Sequence, residues 1–433
     1  MRSAPRLRPA LLALSFATLG APLAAAAPLR VASWNLGWHV SYGEVPAWAG
    51  QCGKSYEKDA ASGVWKVVAD GKEGSTVGWH IKEGRAQLEG VDLSVMPPCG
   101  VYEGPDRSKI PVTMAALAGR NQRIAALIAG QIKPDVIAFQ EVSGTAAVYE
   151  ALGADADKYR VCSFDGRYKV QRLAFAWRKE LGDAVEACQV IDAISLPQAR
   201  AIDQVRPGLT LTLKVGGQVL RFMTVHLKSS CVTPLDGRGR LDQDRGPTDP
   251  CPILQQQVAP LEAAFEALPR GADQFIVLGD FNRNLWHEAN EVDGAKAVRS
   301  DGSTDLTGPL PAGVKTQSLY REINDGEPAA SRAALVTIEC RLDAPLAALC
   351  ERSKTAALRR EEMAPLGAPT ALGCRNAIGL DHFVVSAGLQ GKVRGAQKVA
   401  IGADGQTVPA NAPDGHAMLA VSDHCPIVLT LDQ

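Results

Sequence analysis

The stretch Gln274-Phe275-Ile276-Val277-Leu278-Gly279-Asp280-Phe281-Asn282 decides how the rest of the chain is read. Phe275 to Leu278 is a short, unbroken apolar run, which is how a strand buried on both faces looks in sequence. It runs into a glycine, then an acid and an amide. Polar groups at that point stand where a rigid strand meets an exposed loop, the usual place for working residues. The construction recurs. Leu29–Trp34 leads into Asn35 and Leu36. Asp135–Phe139 leads into Gln140-Glu141-Val142. Val219–Val225 leads into His226-Leu227-Lys228-Ser229, and Ser422-Asp423-His424 precedes the strand Pro426–Leu431. Each has an ordinary explanation alone: Asn35 and Asn282 as turn residues, Glu141 as a cap, Asp423-His424 as a surface ion pair. Five in one chain, each fused to an apolar β-run, point to one site.

Outward from these runs, Thr113–Gln131 reads as a helix with Leu117, Ile124, Leu127 and Ile128 on one face. Leu173–Trp177 and Leu209–Leu213 are further strands, and Gly216-Gly217 turns the hairpin into Val219–Val225. Ile253–Leu268 reads as a second helix and His382–Ser386 as a late strand. Helices alternate with strands early and hairpins dominate the middle, which favours mixed sheets. Residues 41–110 and 284–375 have little periodicity and are expected to be insertions. Neither an internal repeat nor a Pro/Ser linker is evident, so residues 27–433 are expected to be one catalytic domain.

The chain has 433 residues, with 46 Lys+Arg against 47 Asp+Glu, a balance typical of globular proteins that excludes disordered, collagenous and coiled-coil chains. Arg2, Arg6 and Arg8, the apolar run Ala10–Leu19 and the small residues Leu23-Ala24-Ala25-Ala26 read as a secretory signal peptide cleaved near residue 26. The protein is therefore expected to be secreted or periplasmic, and loss of the three arginines takes its net charge from −1 to −4. All ten cysteines lie beyond that point, and an even number in an exported chain reads as a disulfide framework. Short loops suggest Cys52–Cys99, Cys162–Cys188 and Cys231–Cys251; the other four are left open. Structural zinc is the weaker reading, since neither C-x-x-C nor H-E-x-x-H occurs. Neither a G-x-S-x-G elbow nor a P-loop is present.

The set Trp34-Asn35-Leu36, Gln140-Glu141-Val142, His226-Leu227-Lys228-Ser229, Gly279-Asp280-Phe281-Asn282 and Ser422-Asp423-His424-Cys425-Pro426 resembles the endonuclease/exonuclease/phosphatase superfamily, of the deoxyribonuclease I-like fold. The resemblance implies an α/β (α+β) four-layered sandwich: two mixed β-sheets packed face to face, helices outside. It also implies metal-dependent hydrolysis of a phosphate ester. By the resemblance Glu141 is the principal metal ligand, with Asn35 and Asp423 close by. Hard oxygen ligands suit Mg²⁺, and Mn²⁺ or Ca²⁺ by the same chemistry. Asp280 would orient or deprotonate the attacking water and Asn282 would hold a phosphate oxygen. His226 and His424 would flank the phosphate, which of them is acid and which base being left open. Asp381 would support a histidine or bind the leaving group or metal, while His382 is read as a packing residue. Tyr168 resembles a phosphate-contacting tyrosine, with a core role as the alternative. Arg206 resembles a family Arg-Pro position suited to phosphate oxygens, with a solvated loop arginine as the alternative.

Nucleic acid is the expected substrate, and a phospholipid surface is the alternative. No protein partner is implied. The mild negative charge gives no global attraction to DNA. Two local clusters stand as candidates: Arg238, Arg240 and Arg245, diluted by Asp236, Asp242 and Asp244, and Arg352, Lys354, Arg359 and Arg360. Their plainer reading is solvated surface. Trp38, Trp48, Trp65 and Trp79 keep a sphingomyelinase-type reading open, because an aromatic loop could enter a bilayer. An inositol-phosphate phosphatase would want a denser basic pocket. A non-catalytic binding protein on the same scaffold has no physical need for Glu141, Asp280 and both histidines together.

Overall fold

The computed structural model describes residues 27–61, 64–78, 87–88, 97–99, 101, 112–165, 172–200, 203–231, 250–290, 295–298, 304–307, 318–356, 358–408 and 415–433. The expected signal peptide, Tyr168 and the Arg238–Arg245 cluster lie outside them. Two large sheets carry the fold. Their strands are β1 (Leu29–His39), β2 (Val136–Val142), β3 (Tyr159–Ser163), β4 (Arg172–Arg178), β5 (Gln189–Ile191), β6 (Gly208–Val215) and β7 (Gln218–His226). They continue with β8 (Gln274–Asp280), β9 (Ala333–Leu335), β10 (Glu339–Cys340), β11 (Asp381–Ser386), β12 (Val393–Lys398) and β13 (Ile427–Leu431). One sheet runs β10-β12-β13-β1-β2-β4-β3 and the other β9-β11-β8-β7-β6-β5. Both are mixed: β1–β2 and β7–β8 pair parallel, while β1–β13, β8–β11 and β6–β7 pair antiparallel.

The sheets pack face to face, with helices outside. Phe175 of one meets Phe222 of the other edge-to-face at 6.5 Å between ring centroids. The placement of β8 explains why Phe275–Leu278 is apolar throughout. Ile276 and Leu278 join the core between the sheets, while Phe275 and Val277 join a second core beneath helix α3 (Cys251–Ala267). A strand covered on both sides has no polar face to show. The other sheet is covered by α1 (Met114–Leu127) and α2 (Thr145–Leu152), through Ile124, Leu127, Val148 and Leu152. Thr113 caps α1 by accepting from the Ala116 N–H at 3.1 Å. The sequence-predicted helix to Gln131 stops short: α1 ends at Leu127 and widens into a π-turn over Ile128–Ile132.

The first insertion has its own small structure. A helix over Val45–Cys52 and four short strands form a satellite core with Val45, Trp48, Tyr56, Leu117 and Leu419. Trp48 is buried there and Trp65 packs against it, so neither forms a membrane-entering loop; Trp79 lies outside the described residues. The second insertion holds α4 (Ala344–Thr355), begun by Asp343 and missed in the sequence for want of an apolar stripe. All ten cysteines pair: Cys52–Cys99, Cys162–Cys188 and Cys231–Cys251 as the short loops suggest, then Cys340–Cys350 and Cys374–Cys425. Among the described residues no helix is long and apolar enough to cross a membrane.

Candidate active site

The strand register assembles the site. His226, Asp280 and Asp381 stand abreast on β7, β8 and β11. Asn35 ends the regular pairing of β1 with β2, opposite Gln140, and Glu141 follows with a left-handed φ of 58°. Gly279 is required where it stands. Its φ is 137°, and a Cβ there would lie 2.2 Å from the Val225 carbonyl oxygen. The sharp approach it permits sets Asp280 beside His226.

Asn35 joins the two sheets. Its Nδ2 donates to Glu141 Oε1 at 3.2 Å and to Asp280 Oδ2 at 3.1 Å, while its Oδ1 accepts from the Gly37 N–H at 2.9 Å. Glu141 Oε2 accepts from the Trp38 N–H at 3.1 Å. His226 Nε2 lies between the two acids, 3.5 Å from Glu141 Oε1 and 3.4 Å from Asp280 Oδ2. Asp280 Oδ1 accepts from the Asn282 N–H at 2.8 Å, and Asn282 Nδ2 donates to the Leu227 carbonyl at 3.2 Å.

On the other side of Asp280, His424 Nε2 stands 3.8 Å from its Oδ2. The second ring nitrogen, Nδ1, meets Asp381 Oδ2 at 2.9 Å, with both residues buried. Burial opposes a charge on His424, but Asp381 and then Asp280 overcome it and lift the imidazole to about 10. His424 is therefore an imidazolium, with Nδ1–H donating to Asp381 and Nε2–H facing the site. His226 is its opposite. Burial, then the positive charges of Arg206, His424 and Lys228, hold its pKa well below the usual value, so the ring is neutral. Burial pushes the Asp280 carboxyl up to about 7 against the pull of His424, and Asp381 and Glu141 add to the rise. Burial, then the nearby Asp423, also raises Glu141. For Asp423, burial is outweighed by His424 and Arg375, which hold it below the usual range.

Glu141 is the group that suits a divalent cation. Among the described residues no lysine or arginine stands within ion-pair distance of it, and its close neighbour His226 is neutral. A part-buried carboxylate with no base directly paired to it, near a second acid and with only the more distant charges of His424 and Arg206 to offset it, is the environment a hard cation relieves. Asn35 and Asp423 lie alongside but are partly committed. Asn35 Oδ1 holds the Gly37 N–H, and Asp423 Oδ2 accepts from Arg375 Nη2 at 2.6 Å and Asn376 Nδ2 at 3.0 Å. Among the described residues no group of three His, Cys, Asp or Glu side chains already surrounds a metal position.

Several sequence expectations change. Arg206 is not a solvated loop residue; it is buried, donating from Nε to the His226 carbonyl at 2.7 Å and from Nη2 to the Leu227 carbonyl. It thereby fixes the end of β7, and two of its three nitrogens are committed. In the Arg352–Arg360 cluster Lys354 is buried against Glu351 and Arg352 pairs with Glu362, while Arg352, Arg359 and Arg360 remain exposed. His382 packs between Phe281 and Trp286, its Nε2 3.1 Å from the Gly379 carbonyl, in keeping with the packing reading.

Four residues close to the site were not anticipated. Arg375 and Asn376 touch Asp423, and Asn376 Nδ2 also comes within 3.2 Å of His424 Nε2. Lys398, buried and without a hydrogen-bond partner, lies 3.9 Å from Asp381 Oδ2. Arg120 of α1 is buried and donates to the carbonyls of Leu36, Ala420 and Val421. It ties the loop after Asn35 to the loop before Asp423. A charged residue on the buried face of the helix, among Ala116, Leu117, Ile124 and Leu127, was the available signal for Arg120.

The family model described as the endonuclease/exonuclease/phosphatase family matches residues 111–424. The chain belongs to that family. Its members are phosphoester hydrolases and typically depend on divalent metal. Among solved structures, the human nocturnin catalytic domain is 12% identical with a TM-score of 0.41, covering 94% of this chain and 95% of that one. A Bacteroides thetaiotaomicron mannosyl-6-phosphatase is 13% identical with a TM-score of 0.41, covering 93% and 98%. TDP2 of D. rerio, complexed with a single-strand DNA product, is 15% identical with a TM-score of 0.39, covering 73% and 92%. No curated protein sequence matches the chain.

Proposed function

We propose that this chain is an exported, divalent-metal-dependent phosphodiesterase whose first substrate is nucleic acid. The observation that carries the reading is the buried triplet of His226, Asp280 and His424, backed by Asp381, with Glu141 beside it and no base directly paired to that carboxylate. Asp280 titrates at about 7, so near neutral pH it can take a proton from water. Asn282 and Asn35 hold its two oxygens, so the base is fixed in direction. The water oxygen bonds to phosphorus as the bond to the leaving oxygen breaks. His424, an imidazolium oriented by Asp381, donates Nε2–H to a phosphoryl oxygen and can pass that proton to the leaving oxygen. This assigns the base to Asp280 and the acid to His424. His226, neutral, directs Nε2 toward Glu141 and Asp280. The second amide hydrogen of Asn282 remains for a phosphate oxygen.

Glu141, with Asn35 and Asp423 adjacent, would hold Mg²⁺, or Mn²⁺ or Ca²⁺ by the same chemistry. When bound, such an ion neutralises charge on the phosphate and orients it. Residues 27–433 are the catalytic unit in this reading, and residues 1–26 the export leader. Five disulfides support an oxidising compartment. The buried Trp48 weighs against a membrane-entering first insertion and so against the phospholipid alternative.

The test is a substrate panel: supercoiled plasmid, single-stranded RNA, sphingomyelin vesicles and a soluble inositol phosphate, each with Mg²⁺ or EDTA. Nicking or degradation of nucleic acid with Mg²⁺ alone is expected. Release of phosphocholine or inorganic phosphate instead would keep the chemistry and overturn the substrate; silence on all four would overturn the enzyme reading.

A further inference from the structure

Residues 374–376 form a short strap across the edge of the site. It is held by four kinds of contact. The Cys374–Cys425 disulfide ties it beside His424, and both sulfurs are buried. The Asn376 N–H donates to the Asp423 carbonyl at 2.8 Å, and Asn376 bridges to His424 as a parallel pair. Asn376 Nδ2 donates to Asp423 Oδ2. Just before the strap, Gly373 has a φ of 83°, and a Cβ there would lie 2.1 Å from the Gly402 carbonyl oxygen. The strap is thus seated against its neighbours rather than free to swing.

Arg375 sits in this rigid strap, yet its side chain is 72% exposed. Among the described residues its polar partner is Asp423 Oδ2, reached by Nη2. A guanidinium carries five donors in a planar fork, so one edge stays available beside the site. That edge lies beside Asp423, whose Oδ2 accepts from Arg375 Nη2 at 2.6 Å and from Asn376 Nδ2 at 3.0 Å, one residue before His424. The surrounding acids Glu141, Asp280, Asp381 and Asp423 would repel a polyanion, and Arg375 is an exposed cation beside Asp423.

We propose that Arg375 is a specificity-determining residue that grips a second anionic group adjacent to the scissile phosphate, favouring substrates with neighbouring phosphates over isolated ones. This rests on the phosphoesterase reading of the site. Guanidinium–phosphate pairs are directional and can be bidentate, so charge and fork geometry both contribute.

The test is calorimetric binding of methylenebisphosphonate and of methylphosphonate to the oxidised full chain at fixed free Mg²⁺. Their C–P bonds survive a phosphoesterase, so binding is read without turnover. Wild type, Arg375→Ala and Arg375→Gln are compared, with melting curves confirming that each is folded. The preference for the bisphosphonate should fall about tenfold in both variants, equivalent to about 1.4 kcal/mol. Chelation of Mg²⁺ by the bisphosphonate contributes equally in all three proteins. An unchanged preference in both variants would overturn the proposal. So would a loss in the alanine variant that glutamine restores, because glutamine can still tether Asp423 without a charge. If plasmid stays intact while the preference shifts as expected, nucleic acid is the wrong substrate and Arg375 keeps its role.

Discussion

Replacing Asp381 with Asn tests the electrostatics most sharply. The substitution keeps the shape at the start of β11 and removes the charge 2.9 Å from His424 Nδ1. His424 stands at about 10 against an ordinary 6.5, despite burial. A directly paired carboxylate is worth about 1–3 units of that rise, or roughly 1.4–4 kcal/mol at about 1.4 kcal/mol per unit. Asp280 remains and keeps part of the shift. A histidine whose folded pKa is raised contributes stability that is fully present below pH 6.5 and lost as pH rises through 10. Urea denaturation should therefore show a wild-type advantage that includes this roughly 1.4–4 kcal/mol at pH 6 and sheds it by pH 10.5. Lys398 loses its nearest acid and keeps only the pull of Asp280; because burial lowers its own pKa from 10.5, this cost also fades towards high pH, so the pH dependence needs a readout on His424 itself. Histidine ring NMR gives the second readout: His424 should titrate lower in the variant. A stability gap that is flat between pH 6 and 10.5, or a wild-type His424 titrating near 6.5, would refute the reasoning.

Three further outcomes follow from the same geometry. Asp280→Asn should cut kcat by about 10²–10⁴ and abolish the limb of the pH–rate profile near 7. Because burial raises the Asp280 carboxyl, its ionisation costs stability as pH climbs from 3.8 through 7, so this variant should be more stable than wild type at pH 8, with the difference closing below pH 4. Glu141→Gln should raise the Mg²⁺ concentration for half-maximal activity by about tenfold or more; an unchanged titration would reject Glu141 as a ligand. Arg120→Met should cost about 3 kcal/mol or more in urea denaturation, since it strands three carbonyls at roughly 1–3 kcal/mol each; a loss under 1 kcal/mol would show that water replaces the guanidinium there.

Much of this arrangement was legible in the strand ends. Asn35, Glu141, His226, Asp280 and His424 each follow or precede an apolar run, and parallel or antiparallel register brings such ends together at one edge of a sandwich. The short-loop cysteine pairs were legible for a related reason, since neighbouring segments meet first. What escaped was what depends on long-range contact. Asn376 meets His424 48 residues away, and Arg120 meets Ala420 across 300, with no local pattern to mark either. Lys398 lies at the end of β12, a strand the sequence pattern did not mark, and only the fold buries its side chain 3.9 Å from Asp381. Arg206 was noticed, but not its backbone partners, because a loop arginine does not reveal in sequence that carbonyls will surround it. The satellite sheet of the first insertion escaped because its strands are only two to five residues long.

The central claim is that this cluster hydrolyses phosphodiesters with a divalent cation, Asp280 as base and His424 as acid. The most direct measurement is release of p-nitrophenolate from bis(p-nitrophenyl) phosphate, a diester with no demand on the rest of the substrate. Wild type should turn over with Mg²⁺, stop with EDTA and recover when Mg²⁺ or Mn²⁺ is restored, while His424→Ala stays folded and near background throughout. Turnover that ignores EDTA, or that survives in His424→Ala at the wild-type rate, would contradict it.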